Sequence, residues 1–352
     1  MNSEKEPSIA ELNPDFEDIM IQALRSKNAP EGNHFKTEPK PLSLFCVSDI
    51  HGGREEFARL AEFYKEYERY FDGALCLGDV VQSSWKSDFS YWRETPGHEK
   101  FMLTTGNHDT LRDHKDWTDY GVWKDKVPAA EVYDRYRKDL VAGWDVVCGR
   151  GKTYYYKDYP ESKVKLIVLD CMFNPEWEKE LDDEQFRWFK GLLRDALSKD
   201  FAVIISYHYQ SPDFVKIDCG FSEREEKGKI EFIPLCDSRR YRQTVEDFKN
   251  GGGDFVCWLC GHLHYETLCY RKDFPNQLIR CAPAARGDFA EFTGYITRTK
   301  GGRSRDAADA AVVDRSTKTL KIIRVGANMD SYMRRRNGIV INYETFEIIS
   351  EF

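Results

Sequence analysis

Apolar positions fall in two patterns along this chain: short runs of strand length and longer stripes at helical spacing. Leu42 to Val47 is a short apolar run closed by Ser48-Asp49, and it reads as a buried strand. Arg54 to Tyr70 repeats instead at helical spacing, with Phe57, Leu60, Ala61, Tyr64 and Tyr67 on one face. Asp72-Gly73 then turns the chain into a second strand, Ala74–Leu77, which ends at Gly78-Asp79. A third, Phe101–Thr105, ends at Gly106-Asn107. The spacing from Asp79 back to Asp49 is 30 residues and on to Asn107 is 28, about one βαβ unit each.

Later strands are predicted at Lys165–Leu169, Ala202–Tyr207 and Phe255–Cys260. Asp182 to Leu197 is predicted as a helix, capped by Asp182, with Phe186, Phe189, Leu192, Leu193 and Leu197 as its apolar stripe. Ala310 to Val325 reads as two strands around a turn at Arg315-Ser316-Thr317-Lys318. Two more short strands flank Tyr343-Glu344-Thr345 between Gly338 and Ile349. Residues 1–40 form a polar, partly helical arm in which Phe16 to Leu24 has weak helical periodicity. Residues 41–352 then form one domain with loop insertions and a β-rich C-terminal extension.

Strand-end loops carry most of the metal-binding side chains. In order they are Asp49-Ile50-His51, Gly78-Asp79, Gly106-Asn107-His108-Asp109, His208 and Gly261-His262-Leu263-His264. Ligands gather at the carboxyl edge of an α/β sheet, so five loops on one edge can converge. A pair of divalent ions needs a bridging ligand with two oxygens, and Asp79 is the natural bridge because a neutral imidazole has one lone pair. Asp49 and His51 are two apart, so at an extended strand end both point the same way. Asn107 offers an amide oxygen; His208, His262 and His264 offer nitrogens. This mixture of nitrogen and oxygen suits Mn, Fe, Zn, Ni or Co better than Ca or Mg. His108 is left over as a proton donor, and Asp109 as the group that orients that ring or a neighbouring ligand.

Composition narrows the function classes. The chain of 352 residues is 41% hydrophobic and 32% charged, enough for a buried core in a soluble protein. A net charge of −8 argues against nucleic-acid binding by phosphate neutralisation. Two divalent ions against two aspartates and one hydroxide would still keep the centre itself at roughly +1, attractive to phosphate. No apolar run reaches membrane-spanning length, and Met1 to Lys40 has no apolar signal region. Ten cysteines without disulfide-framework spacing read as free thiols. Together these predict a cytoplasmic protein with no membrane partner. Cys257-Trp258-Leu259-Cys260 matches a redox motif on paper, but in a strand its two thiols face opposite sides.

The five segments resemble the signature of the calcineurin-like metallophosphoesterases: Asp-x-His, Gly-Asp, Gly-Asn-His-Asp/Glu, His and Gly-His-x-His, from about Val47 to His264. The resemblance implies an α/β fold, a two-sheet αββα sandwich of the metallophosphoesterase type. It implies one ion on Asp49, His51, Asp79 and His264, and a second on Asp79, Asn107, His208 and His262. His108 would be the acid for the leaving group. Purple acid phosphatases have a tyrosine soon after Gly-Asp and lack the first histidine, whereas here Val80-Val81-Gln82 follows and His51 is present. The protein phosphatases have Gly-Asp-x-Val-Asp-Arg-Gly, from which Val81-Gln82-Ser83-Ser84 departs. The plainer motif set is more similar to bacterial phosphodiesterases and general phosphoesterases.

The expected activity is hydrolysis of a phosphate ester, a diester or a monoester, by a metal-bridging hydroxide. One alternative is a nuclease of the same superfamily, marked by salt-dependent DNA binding; the other is a non-catalytic metal-binding interaction module on the same fold. The stretches Trp85 to Phe101, Leu111 to Val127 and Gln210 to Gln243 read as loops rimming the site. Trp85, Tyr91, Trp92 and Trp123 are candidates either to stack on a substrate ring or to pin those loops. Arg286 is a candidate phosphate contact after the last motif.

Overall fold

Strand β1 (Leu42–Val47) is buried along its whole length, because both of its faces are covered. It pairs in parallel with β2 (Gly73–Cys76), which pairs in parallel with β3 (Phe101–Leu103). In this computed structural model the described residues are 6–25, 39–82, 85–106, 108–110, 141, 143–148, 152–170, 183–209, 214–218, 238–262, 264, 267–271, 277–285, 301–302, 305–326 and 338–352. On its other side β1 pairs antiparallel with β12 (Ala307–Asp314), and an antiparallel meander continues through β13 (Thr319–Gly326), β14 (Gly338–Asn342) and β15 (Ile348–Glu351). The β12–β13 hairpin turns at the four residues expected, Arg315 to Lys318.

A second sheet has the order β4-β5-β6-β7-β9-β11-β10-β8. Its strands are β4 (Val147–Cys148), β5 (Tyr155–Tyr159), β6 (Val164–Val168), β7 (Ala202–Ser206), β8 (Phe214–Asp218), β9 (Phe255–Cys260), β10 (Thr267–Arg271) and β11 (Leu278–Cys281). Its centre, β6, β7, β9 and β11, is parallel.

Helices cover the outer faces. On the first sheet lie α1 (Ile9–Leu12), α2 (Phe16–Leu24), α3 (Arg54–Tyr67) and α4 (Trp85–Glu94); on the second lie α5 (Asp183–Lys199) and α6 (Ser238–Asn250). The layering is therefore helix, sheet, sheet, helix, as the family resemblance implied. Facing residues of both sheets share one core, among them Leu44, Cys46 and Ala311 from the first and Leu166, Ile204 and Leu259 from the second. Cys257 joins that inner core, while Cys260 joins the outer one beneath α5 and α6, so the two thiols do face opposite sides. A buried ion pair also crosses between the sheets, with Arg280 donating to Asp309 at 2.6 and 2.9 Å.

The described part of the N-terminal arm is packed. Ser8 and Glu11 cap α1 reciprocally, side chain to backbone. Phe16 is buried against Phe63 and Tyr67, with ring centroids at 4.9 and 5.1 Å. Removing a ring buried like this costs about 3–5 kcal/mol.

Three expectations change. Trp85 to Glu94 is a helix and not a loop; Trp92 stacks on Phe57 at 4.0 Å and Tyr91 donates its hydroxyl to the Val80 carbonyl. Both aromatics pin α4 to the body and neither faces a substrate. Gln210 to Gln243 contains β8 and the start of α6. In α5 the buried stripe runs through Phe189, Leu192, Leu193 and Ala196, and Leu197 is 44% exposed, because Ala196 takes the sheet-facing position one step earlier. Asp182, Trp123, Leu111 to Val127 and the side chain of Trp85 lie outside the described residues. No described helix is long and apolar enough to cross a membrane.

Candidate metal centre

The five strand-end loops do not share one sheet. Those after β1, β2 and β3 belong to the first sheet, those after β7 and β9 to the second, and they meet where both sheets end together. A hydroxyl pair, Thr104 to Ser206 at 2.5 Å, ties the third loop to the fourth, and Gly261 N–H donates to the His208 carbonyl at 2.9 Å.

The pleat does not aim the side chains either. Asp49, His51, Asp79, His262 and His264 all have left-handed backbones, with φ of 50°, 46°, 55°, 72° and 61°. Each costs on the order of 1 kcal/mol for a residue other than glycine. Ladder-like bonds hold them there: Asp49 N–H to the Gly78 carbonyl at 3.0 Å and His51 N–H to the Asp79 carbonyl at 2.8 Å. Gly78, at φ 105°, could carry no side chain, since a Cβ would lie 2.4 Å from His208 Nδ1. A Cβ on Gly106 would lie 2.1 Å from Asp79 Oδ1.

Two groups of donor atoms result, each with its atoms within 4.8 Å of one another: Asp49, His51, Asp79 and His264, and Asp79, His208 and His262. Asp79 belongs to both. Its Oδ2 is buried between two imidazoles, 3.1 Å from His208 Nε2 and 3.6 Å from His51 Nε2. His51 and His264 bring their Nε2 atoms to 3.0 Å, both also near Asp49 Oδ1 at 3.8 and 3.5 Å.

This packing fits cations. His208 Nδ1 lies 2.8 Å from the Leu77 carbonyl, which only accepts, so Nδ1 carries the proton. A neutral ring then aims the Nε2 lone pair at a carboxylate oxygen, which is repulsive unless a proton or a cation lies between. Burial lowers the affinity of His208 for that proton, but the charge of Asp79 outweighs it and lifts the pKa to about 9. Asp79 is held well below the usual carboxylate range: burial works the other way, and His208 and His108 overcome it. Burial, aided by other imidazoles, pushes His262 down to about 3 and His264 to about 4, so both offer lone pairs at neutral pH.

His108 sits beside these groups, its ring edge-on to His51 at 4.6 Å. Its Nδ1 lies 2.8 Å from the Gln82 carbonyl, and its backbone N–H donates to Asp79 Oδ1 at 2.8 Å. Asp109 does not orient that ring. Its carboxylate accepts from three backbone N–H groups, Asp79 and Val81 at 3.0 Å and Gly106 at 2.8 Å. It thus locks the Gly-Asp loop onto the Gly-Asn-His loop. Burial, with the Asp79 charge, raises its pKa to about 6.

A sequence model described as calcineurin-like phosphoesterase matches residues 42–266, more than half of the chain and all five loops. The chain belongs to that family. The calcineurin-like phosphoesterases typically depend on two metals, and the two overlapping groups here are residues able to bind them. Among solved structures, a dimetal phosphatase from Danio rerio superposes with a TM-score of 0.54 at 11% identity, over 86% of this chain and 99% of that one. At that identity the likeness speaks for the fold. A protein from Thermus thermophilus aligns more loosely, with a TM-score of 0.42 and 9% identity, over 81% and 99% of the two chains. No curated protein matches the chain.

Against the family signature, six of the seven candidate ligands converge. Asn107 lies outside the described residues, as does Arg286. Sequence reasoning missed Gln82, which acts through its carbonyl and so has no side-chain signal. It also missed Ser48, although a hydroxyl directly before a candidate ligand was a readable sign.

Proposed function

We propose that this family member hydrolyses a phosphate ester, a diester or a monoester, with two divalent ions from the set Mn, Fe, Zn, Ni and Co. One ion is assigned to Asp49, His51, Asp79 and His264, the other to Asp79, Asn107, His208 and His262. The observation that carries this reading is Asp79 Oδ2, buried between an imidazole of each group. The family match and the likeness to a dimetal phosphatase support it.

When bound, such ions acidify water to a nucleophile at neutral pH and neutralise charge on the phosphoryl oxygens. The chain's own residues supply the rest. His108, with Nδ1 directed at the Gln82 carbonyl, has Nε2 as the atom that can deliver a proton to a departing alkoxide. Asp109 holds the two loops that bring Asp79 and His108 together. Arg286 is retained as a candidate phosphate contact. The preference between diester and monoester is assigned to the segments between the motifs.

The test is metal analysis of the purified protein, followed by assay of phosphomonoesters, phosphodiesters, cyclic nucleotides and single-stranded DNA. Two ions per chain and hydrolysis of at least one ester are expected. A protein that binds no divalent ion would refute the reading.

A further inference from the structure

We propose that Ser48 is a positioning residue that makes Asp49 a one-oxygen ligand; this rests on the two-metal reading above. Ser48 is fully buried at the end of β1. Its Oγ–H donates to Asp49 Oδ2 at 2.5 Å. The backbone N–H of His262 reaches the same carboxylate, 3.1 Å from Oδ2 and 3.0 Å from Oδ1. Oδ1 lies 3.8 Å from Nε2 of His51 and 3.5 Å from Nε2 of His264. A carboxylate can bind an ion through one oxygen or both. Here the hydroxyl engages one of the two and stops the group rotating, so Oδ1 is the oxygen presented.

Neighbouring groups serve the same arrangement. The Ser48 carbonyl accepts from Ala285 N–H at 2.7 Å, which fixes the backbone that carries the hydroxyl. Room for Oγ comes from the second sheet, because a Cβ on Gly261 would lie 2.1 Å from it. The glycine that opens the last motif is therefore required by a serine more than 200 residues earlier. With Oδ2 engaged, the ion held by Asp49 loses one protein oxygen and keeps more of its coordination sphere for substrate. Partners that orient metal ligands in this way are worth about 10–100-fold in affinity.

The experiment titrates the metal-free full chain with Mn(II) by calorimetry, for the wild type, Ser48→Ala and Ser48→Cys. Cysteine keeps the size and loses the strong donor. Both variants should bind one ion as the wild type does and the other about 10-fold or more weakly. Their metal-free melting temperatures should stay close to that of the wild type, and excess Mn(II) should restore kcat. Two ions bound with wild-type affinity by Ser48→Ala would overturn the proposal. So would wild-type affinity in Ser48→Cys, which would make size the cause, or equal weakening of both ions with a lower melting temperature, which would make the role purely structural. A wild type that binds no Mn(II) would sink the two-metal reading itself, an outcome distinct from two ions held equally well by all three proteins.

Discussion

His108 points its Nδ1 at the backbone carbonyl of Gln82, 2.8 Å away, and not at the carboxylate of Asp109. A carbonyl cannot take the proton, so Nδ1 keeps it and Nε2 is the site that gains and loses one. His108→Ala should therefore keep both metals and lose about 10²–10⁴-fold in kcat on esters with poor alkyl leaving groups. Nitrophenyl esters, whose leaving group needs no proton, should be affected far less. Equal losses on both classes in a steady-state series would remove the acid role from His108.

Among the described residues, Asp79 is the one common to both donor groups. Asp79→Asn removes the negative charge and leaves a single carbonyl oxygen, so both ions should bind more weakly, by at least about 10-fold each. Plasma emission analysis after dialysis would measure the content. Two ions retained at full occupancy would refute the bridge.

Asp109 works on the backbone. Asp109→Ala would orphan three buried N–H groups, each costing about 1–3 kcal/mol, and should lower stability in urea unfolding of the metal-free protein. Gly106→Ala should act on function more directly, since its Cβ would meet Asp79 Oδ1 at 2.1 Å and Asp79 N at 2.3 Å. Displacing the Asp79 carboxylate by about 1 Å should cost roughly 10²-fold in activity. A Gly106→Ala protein with wild-type turnover would contradict this packing.

Glu6 ties the N-terminal arm to the body through Arg305 and through Gly301 N–H at 2.7 Å. The Arg305 guanidinium, against some desolvation, holds its carboxyl below the ordinary value of 4.5. A lowered carboxyl pKa stabilises the fold above that ordinary value, and the benefit fades as pH falls through the folded-state pKa. Glu6→Gln should therefore lower Tm by about 2 °C at pH 7. The gap to the wild type should close progressively as the pH falls below 4.5. A gap that stays constant across that range would mean the carboxylate charge contributes nothing.

Much of the first sheet was legible in the sequence because its strands are buried on both faces. Leu42 to Val47 and the strands after it read as apolar runs that stop where ligands begin. The helix α2 coincides with the periodic stretch Phe16 to Leu24, though its polar context hid how deeply Phe16 and Met20 are buried. Less legible were β5, β8 and β10, which carry polar residues such as Lys157, Asp158, Lys216 and Arg271 at or near the sheet margins. Trp92 shows the same limit at one residue. An aromatic in a polar stretch can face a ligand or a core, and only its 4.0 Å stack on Phe57 decided for the core.

For the site, the sequence by itself determined the donor inventory, because metal chemistry restricts which side chains can serve and the spacing of strand ends restricts where. Tertiary structure decided how they meet. The loops come from two sheets, and left-handed backbone at Asp49, His51, Asp79, His262 and His264 aims them inward where an extended strand end was expected. It also decided which partner orients which group: a carbonyl for His108, three amides for Asp109, a serine for Asp49. Such partners are neighbours in space through backbone atoms and single hydroxyls, which leave almost no mark on residue identity.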